Sequence, residues 1–322
     1  MSKDVILVLA NPAAPQLAWL ERLRGQAEVV AGDSTEVFAE AAPHATILFN
    51  WSGSLPLLRE VFLRCPKLSW VHSFAAGVDR ALFPELVASP VPLTNGTGVF
   101  SASLGEFTLG AILYFAKDFR RMVRNQMAGV WEPFDIIPIE GQTAGIVGYG
   151  DIGRAVASRV KAMGMRVLAV RRHVPRVSRD DYAEEIFPPE QLAEMLPRCD
   201  YIAVTAPLTP ETRGMLGARE FAAMRKTAVV INVGRGPVID ERALIAALSE
   251  GRIKGAALDV FDEEPLPAGH AFYRLENILL SPHCADHTPD WMDKAMKFFL
   301  EQYARFRNGE PLLNIVDKRL GY

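Results

Sequence analysis

One short segment constrains this chain more than any other. Residues 143–147, TAGIV, read as a buried strand, and they run directly into Gly148, Gly150 and Gly153, spaced G-x-G-x-x-G, with helical periodicity over 151–163. A glycine triplet of this kind is weak evidence alone; between a strand and a helix it specifies a βαβ unit. The first glycine permits a tight turn, the second lets backbone approach a pyrophosphate, and the third lets helix and strand pack closely. Amide groups opening the helix then face phosphate oxygens, assisted by the helix dipole. The expected phosphate turn is Gly148, Gly150, Asp151, Ile152 and Gly153.

The rest of the chain alternates in the same way. Short apolar, often β-branched runs lie at 5–10, 27–31, 45–50, 68–73 and 91–95, and after the turn at 166–170, 201–205, 228–233, 255–259 and 277–281. Helical spacing falls at 16–24, 35–42, 55–64, 191–196 and 241–250, with a last helix at 290–307. Such alternation predicts parallel sheets covered on both faces. Asp240 reads as an N-cap and Gly251 as the residue just past its helix. Residues 101–117 break the rhythm as one long helix, apolar on most sides, which calls for burial within the chain or against a second subunit.

Composition narrows the function classes. The 322 residues are 49% hydrophobic and 23% charged, the balance of an ordinary soluble protein of about two domains. With 35 Lys and Arg against 38 Asp and Glu, the net charge of -3 lacks the basic excess of a nucleic-acid binder. Cys65, Cys199 and Cys284 are too widely spaced for a disulfide framework or a zinc site, which points to a reducing, cytoplasmic setting and no metal. No apolar run approaches the roughly 20 residues needed to span a membrane.

Two constellations carry chemistry. At the end of the strand 166–170, a carboxylate would accept from the ribose 2′-hydroxyl of NAD. Here stand Arg171, Arg172 and His173, with Arg176 beyond, and the next carboxylate is Asp180. A guanidinium fork suits a 2′-phosphate, so NADP(H) is preferred and NAD(H) possible. Later, Arg235 (NVGRGPVID), Glu264 (ALDVFDEEP) and His283 (LLSPHCADHTP) each follow a strand, at the edge where open parallel sheets bind ligands. Reduction of a 2-oxo acid needs such a set: an imidazolium to protonate the carbonyl oxygen, a carboxylate to orient the imidazole, and an arginine to anchor the substrate carboxylate. Spacing does not separate Glu264 from its neighbour Glu263.

Together these segments resemble the D-isomer-specific 2-hydroxyacid dehydrogenase family. The resemblance covers HSFAAGVD (72–79), GIVGYGDIG (145–153), APLTPETRGML (206–216), VVINVGRGPVIDERALIAAL (229–248), GAALDVFDEEPLP (255–267) and the SPH of 281–283. It implies two doubly wound parallel-sheet α/β domains: a flavodoxin-like substrate domain from residues 1–98 and 289–322, and an inserted Rossmann dinucleotide-binding domain over 99–288. It implies a homodimer with no nucleic-acid or membrane partner. It makes Arg235 the substrate-binding arginine, Glu264 rather than Glu263 the histidine's partner, and His283 the proton donor. The backbone of Phe74, Ala75, Ala76 and Gly77 matches a loop that holds the substrate carboxylate. Asp259 and Pro207 match residues on the cofactor, and Trp51 is a candidate to face substrate, with Trp131 and Trp291 behind it.

Two departures bear on specificity. Arg171 and Arg172 resemble the NADPH-preferring glyoxylate and hydroxypyruvate reductases of the family, and Asp286 stands where many members have a small residue. The expected activity is reduction of a small 2-oxo acid to the D-2-hydroxy acid. The alternatives are a larger substrate such as phenylpyruvate, or a dinucleotide-sensing interaction protein of the corepressor type.

Overall fold

The computed structural model describes residues 3–52, 54–173 and 180–322. The chain divides into two compact units, Met1–Phe100 with Thr288–Tyr322, and Ser101–His287. Each is built on one wholly parallel sheet.

The first unit contains β1 (Asp4–Leu9), β2 (Ala27–Gly32), β3 (Ile47–Asn50), β4 (Trp70–Ser73) and β5 (Leu93–Thr94), in the spatial order β2-β1-β3-β4-β5. That is the flavodoxin-like order. Strand alternation sorts the core into two faces. Leu48 and Val71 join a buried cluster with Leu58 and Val61 of α1 (Leu55–Leu63) and Leu86 of α2 (Pro84–Ala88). Phe49, Trp70 and His72 form an aromatic layer over which the ring of Phe299 stacks, 4.0 Å from Phe49 and 5.4 Å from Trp70 between centroids.

The second unit opens with α3 (Ser101–Ala116) and α4 (Phe119–Met127). Its seven strands are β6 (Thr143–Val147), β7 (Arg166–Val170), β8 (Glu185–Phe187), β9 (Tyr201–Val204), β10 (Val229–Asn232), β11 (Gly255–Leu258) and β12 (Ile278–Leu280). Their order, β12-β11-β10-β9-β6-β7-β8, is that of a Rossmann sheet with its switch point between β6 and β9. Helices α5 (Asp151–Ala162), α6 (Leu192–Met195), α7 (Ala218–Ala223) and α8 (Glu241–Ser249) cover it. The stripe Leu104, Gly105, Thr108, Ala111 and Ile112 of α3 is buried. At Gly105 a Cβ would sit 2.9 Å from the Ala155 carbonyl oxygen, so glycine is what lets α3 approach α5. Asp240 caps α8 by accepting from the Ala243 N–H. The last helix, α9 (Trp291–Arg307), belongs to the first unit and carries Phe299.

The structure corrects two expected helices. Residues 35–41 form hydrogen-bonded turns rather than a helix, with β-branched Thr35 and Val37 at its start and Pro43 close behind. Residues 16–24 fold as a 3-10 helix, Pro15–Leu23. The short elements β8, α2, α4 and α7 have no counterpart in the sequence reading. The charged pair Glu184 and Glu185 hides β8, although Phe187 packs into the core. Among the described residues, no helix is long and apolar enough to cross a membrane, and no cluster of His, Cys, Asp and Glu could hold a metal ion.

Candidate active site

The carboxyl edge of the Rossmann sheet gathers the chemistry of the second unit. Leaving β6, Gly148 turns at φ 98°. A Cβ there would lie 2.5 Å from the backbone of Ala206, and a Cβ on Gly153 would lie 2.5 Å from the Gly148 carbonyl oxygen. Those two glycines are fixed by close packing. Gly150 is different: a Cβ there would meet nothing within 4 Å. The turn is tight behind and open in front, which is the cradle that a pyrophosphate requires. The N–H groups of Asp151, Ile152 and Gly153 open α5 over it. The Asp151 carboxylate accepts from the Ser101 hydroxyl.

Across the switch point, the Thr205 hydroxyl donates to the Gly148 carbonyl at 2.6 Å and locks the two loops together. Pro207, two residues on, is half-buried, and its carbonyl accepts from the Thr212 hydroxyl at 2.6 Å. At the end of β7, the Arg171 N–H donates to the Phe187 carbonyl and the Arg171 residue is exposed. The Arg172 guanidinium pairs with Glu211 at 3.2 Å. Arg176 lies outside the described residues.

Arg235, Asp259, Glu264 and His283 follow the neighbouring strands β10, β11 and β12. The loop after β10 is cinched by Asn232, whose side chain donates to the Arg235 carbonyl and accepts from the Gly234 N–H, both at 3.0 Å. Gly236 is pressed onto the next loop so closely that a Cβ would lie 2.0 Å from the Phe261 carbonyl carbon. Packing at Gly236 therefore holds the Arg235 loop against the loop of Glu264. Arg235 is half-buried, and its guanidinium donates to the Gly234 carbonyl.

Glu264 and His283 meet directly. His283 Nδ1 lies 2.8 Å from Glu264 Oε2, while the Phe261 N–H donates to Glu264 Oε1 at 3.0 Å. Glu264 is mostly buried and Glu263 is exposed, so geometry separates the two acids where spacing did not. Nδ1 engaged in this way places Nε2 on the opposite side of the ring. His283 sits at φ 51°, a left-handed conformation that a non-glycine residue adopts at a cost. Buried Asp259 secures that segment: its Oδ1 accepts from the Ser281 hydroxyl at 2.5 Å and from the Cys284 and Ala285 N–H groups at 2.9 and 3.1 Å. Asp286 is mostly buried and 3.7 Å from His287; burial raises its carboxyl above the usual range, with His287 and His283 partly opposing the shift.

In the first unit, Phe74, Ala75, Ala76 and Gly77 follow β4. The Ala75 and Ala76 carbonyls accept from the Gly96 N–H (3.1 Å) and the Asn95 side chain (2.6 Å). In a trans peptide the N–H points away from its carbonyl. The N–H groups of Ala76 and Gly77 therefore point away from the Asn95–Gly96 turn, as anion binding needs. Trp51 is 8% exposed, edge-on to Phe49 and 5.1 Å from the Phe74 ring. Trp131 is 97% exposed. The positioning residues Thr205, Asn232, Gly236 and Ser281 escaped the sequence reading; only Gly236, flanking an arginine and a proline, carried a local signal.

The chain is similar to known proteins in sequence and in fold. The family model described as "D-isomer specific 2-hydroxyacid dehydrogenase, NAD binding domain" matches residues 109–285. A glyoxylate reductase of Korarchaeum cryptofilum is 34% identical over 274 residues, 82% of this chain and 81% of that protein. A D-3-phosphoglycerate dehydrogenase of Methanocaldococcus jannaschii is 32% identical over 295 residues, 91% of this chain, yet the chain spans only 56% of its length. Among solved structures, an NADPH-dependent glyoxylate/hydroxypyruvate reductase of Sinorhizobium meliloti, in complex with NADP and sulfate, superposes with a TM-score of 0.84 at 26% identity over 99% of this chain and 100% of that one.

Proposed function

The chain belongs to the D-isomer specific 2-hydroxyacid dehydrogenase family, and on that premise we propose that it reduces a small 2-oxo acid to the D-2-hydroxy acid with NADPH, glyoxylate and hydroxypyruvate first. The observation that carries this reading is the His283–Glu264 contact at the carboxyl edge of a Rossmann sheet.

The residues present fit a dinucleotide. The open face at Gly150 receives the pyrophosphate, with Asp151, Ile152 and Gly153 supplying amides. Arg171 and Arg172 take the 2′-phosphate, in keeping with the NADP that the S. meliloti reductase holds. Pro207 lines the cofactor and Asp259 holds its carboxamide. Bound NADPH supplies the hydride. The remaining work falls to side chains. Arg235 binds the substrate carboxylate and polarises the carbonyl, His283 delivers a proton from Nε2 to the carbonyl oxygen, and Glu264 keeps the imidazole oriented and stabilises its charge. In this reading the second unit is the dinucleotide domain and the first the substrate domain. Its Phe74–Gly77 backbone is assigned to carboxylate recognition and Trp51 to the substrate side. NAD(H) is a poorer cofactor, the active species is a cytoplasmic homodimer, and no nucleic acid takes part.

The test is a panel of 2-oxo acids offered with NADPH or NADH, with loss of absorbance at 340 nm followed and the chirality of the product determined. Turnover of glyoxylate and hydroxypyruvate with NADPH, the latter giving the D-product, supports the reading. Absence of turnover with every 2-oxo acid refutes it, and equal use of NADH refutes the role of Arg171 and Arg172.

A further inference from the structure

The N–H groups of Ala76 and Gly77 belong to two peptide units whose carbonyls are held from behind. The Gly96 N–H donates to the Ala75 carbonyl at 3.1 Å, and Asn95 Nδ2 donates to the Ala76 carbonyl at 2.6 Å. A hydrogen bond at a carbonyl oxygen polarises its peptide and strengthens the N–H of the same unit as a donor. Gly96 is pressed onto this loop: a Cβ there would sit 2.1 Å from the Phe74 carbonyl oxygen. Asn95 is 5% exposed, and its Oδ1 accepts from the Thr97 N–H at 3.3 Å, which turns Nδ2 toward Ala76.

The turn that carries Asn95 is itself held on two sides. On one, the Thr94 hydroxyl accepts from Trp70 Nε1 at 2.8 Å and lies 2.7 Å from His72 Nδ1, which ties β5 to β4. On the other, the chain that follows α9 pairs antiparallel with β5, Ile315 opposite Thr94. The Val316 N–H donates to the Leu93 carbonyl at 2.8 Å and the Asn95 N–H to the Asn314 carbonyl at 3.3 Å. Asn314 Nδ2 donates in return to the Thr97 carbonyl at 2.7 Å and the Asn95 carbonyl at 3.4 Å. Fully buried Gln302 of α9 fixes Leu313 by both backbone groups, donating to its carbonyl at 2.6 Å and accepting from its N–H at 2.9 Å. The support of the Ala76 carbonyl thus runs through Asn95 and Asn314 to α9, all within the first unit.

We propose that Asn95 is a positioning residue for the substrate carboxylate: latched from behind by Asn314, its side chain fixes and polarises the Ala76–Gly77 peptide that presents an N–H to the carboxylate of the 2-oxo acid. This deepens the assignment of the Phe74–Gly77 backbone to carboxylate recognition and rests on it. Two consequences follow from the geometry. Removing the Asn95 amide leaves the Ala76 carbonyl without its donor, so the peptide gains freedom to rotate and its N–H weakens. Asn314 stands at φ 55°, a conformation that glycine adopts freely, so Asn314→Gly removes the side-chain donor and keeps the backbone pairing.

Steady-state kinetics with glyoxylate at saturating NADPH, NADPH titration and thermal unfolding of unaltered protein and both variants test this. Asn95→Ala is expected to raise KM for glyoxylate by about tenfold and Asn314→Gly by about threefold. In both, kcat is expected to stay within about threefold and NADPH affinity within about twofold, the split of a lost binding contact. Thermal unfolding reports folding, and Asn314→Gly carries the test if Asn95→Ala does not fold. An unchanged KM in the folded variants, a fall in kcat without a rise in KM, or NADPH affinity lost in step with KM overturns the proposal while 2-oxo acid reduction stands. An unaltered protein that turns over no 2-oxo acid overturns the reading of the site, and this inference with it.

Discussion

His283 Nδ1 and Glu264 Oε2 lie 2.8 Å apart, although nineteen residues separate them and they leave different strands. The contact exists because β11 and β12 are parallel neighbours whose carboxyl ends open on the same edge. The Phe261 N–H holds the other oxygen of Glu264, so the acid cannot turn away without losing a bond. Replacing Glu264 by Gln keeps the shape and removes the charge that stabilises an imidazolium. With that charge gone, kcat for 2-oxo acid reduction should fall about tenfold or more while NADPH affinity holds within about twofold. Steady-state kinetics and NADPH titration of both proteins check this, and an unchanged kcat would sever the pairing.

Arg235→Lys retains a charge and loses the planar fork. A bidentate contact to a carboxylate is not reproduced by an ammonium, so KM for the 2-oxo acid should rise by about tenfold or more. NADPH affinity, measured by fluorescence titration, should hold within about twofold. Weakened NADPH binding with unchanged KM would place Arg235 on the cofactor instead.

Two glycines should respond in opposite ways to a methyl group. At Gly236 the Cβ would overlap the Phe261 backbone, so Gly236→Ala should lower the melting temperature and activity together. At Gly150 the Cβ meets open space, so Gly150→Ala should leave the melting temperature within about 2 °C and weaken NADPH binding by about tenfold. Scanning calorimetry with and without NADPH distinguishes the two.

Buried His72 predicts acid sensitivity of the first unit. Burial lowers it from 6.5 to about 3, and its Nδ1 lies 2.7 Å from the Thr94 hydroxyl. An unfolded chain binds a proton there below about pH 6.5 and the folded chain does not, so stability present above that pH is lost as pH falls toward 3. The loss is on the order of a few kcal/mol. Urea unfolding at pH 7 and pH 4.5 should show a smaller pH difference in His72→Gln than in the unaltered protein.

Much of the architecture was legible because its signals are local. The strand before Gly148 and the helix after Gly153 announce themselves by period and by the glycine turn, and both sheets are parallel as the alternation requires. Elements that depend on distant partners were not. β8 reads as charged because only Phe187 anchors it deeply; residues 35–41, for their part, carry a helical pattern that β-branched Thr35 and Val37 and nearby Pro43 break into turns. At the site, chemically marked residues such as Arg235 and His283 stand out by type. Their supports do not: nothing adjacent to Ser281 or Thr205 tells that one hydroxyl secures Asp259 and the other secures Gly148. The choice of Glu264 over Glu263 likewise became visible only when His283 was placed beside it.

The central claim is that His283 supplies the proton when a 2-oxo acid is reduced at the expense of NADPH. The most direct measurement compares unaltered protein with His283→Ala in NADPH oxidation with glyoxylate and hydroxypyruvate, alongside NADPH titration of both. Robust turnover is expected of the unaltered protein, and a fall in kcat of about 10²–10⁴-fold in the variant, with NADPH affinity retained. A variant that turns over at a near-normal rate, or an unaltered protein that oxidises NADPH with neither substrate, would contradict it.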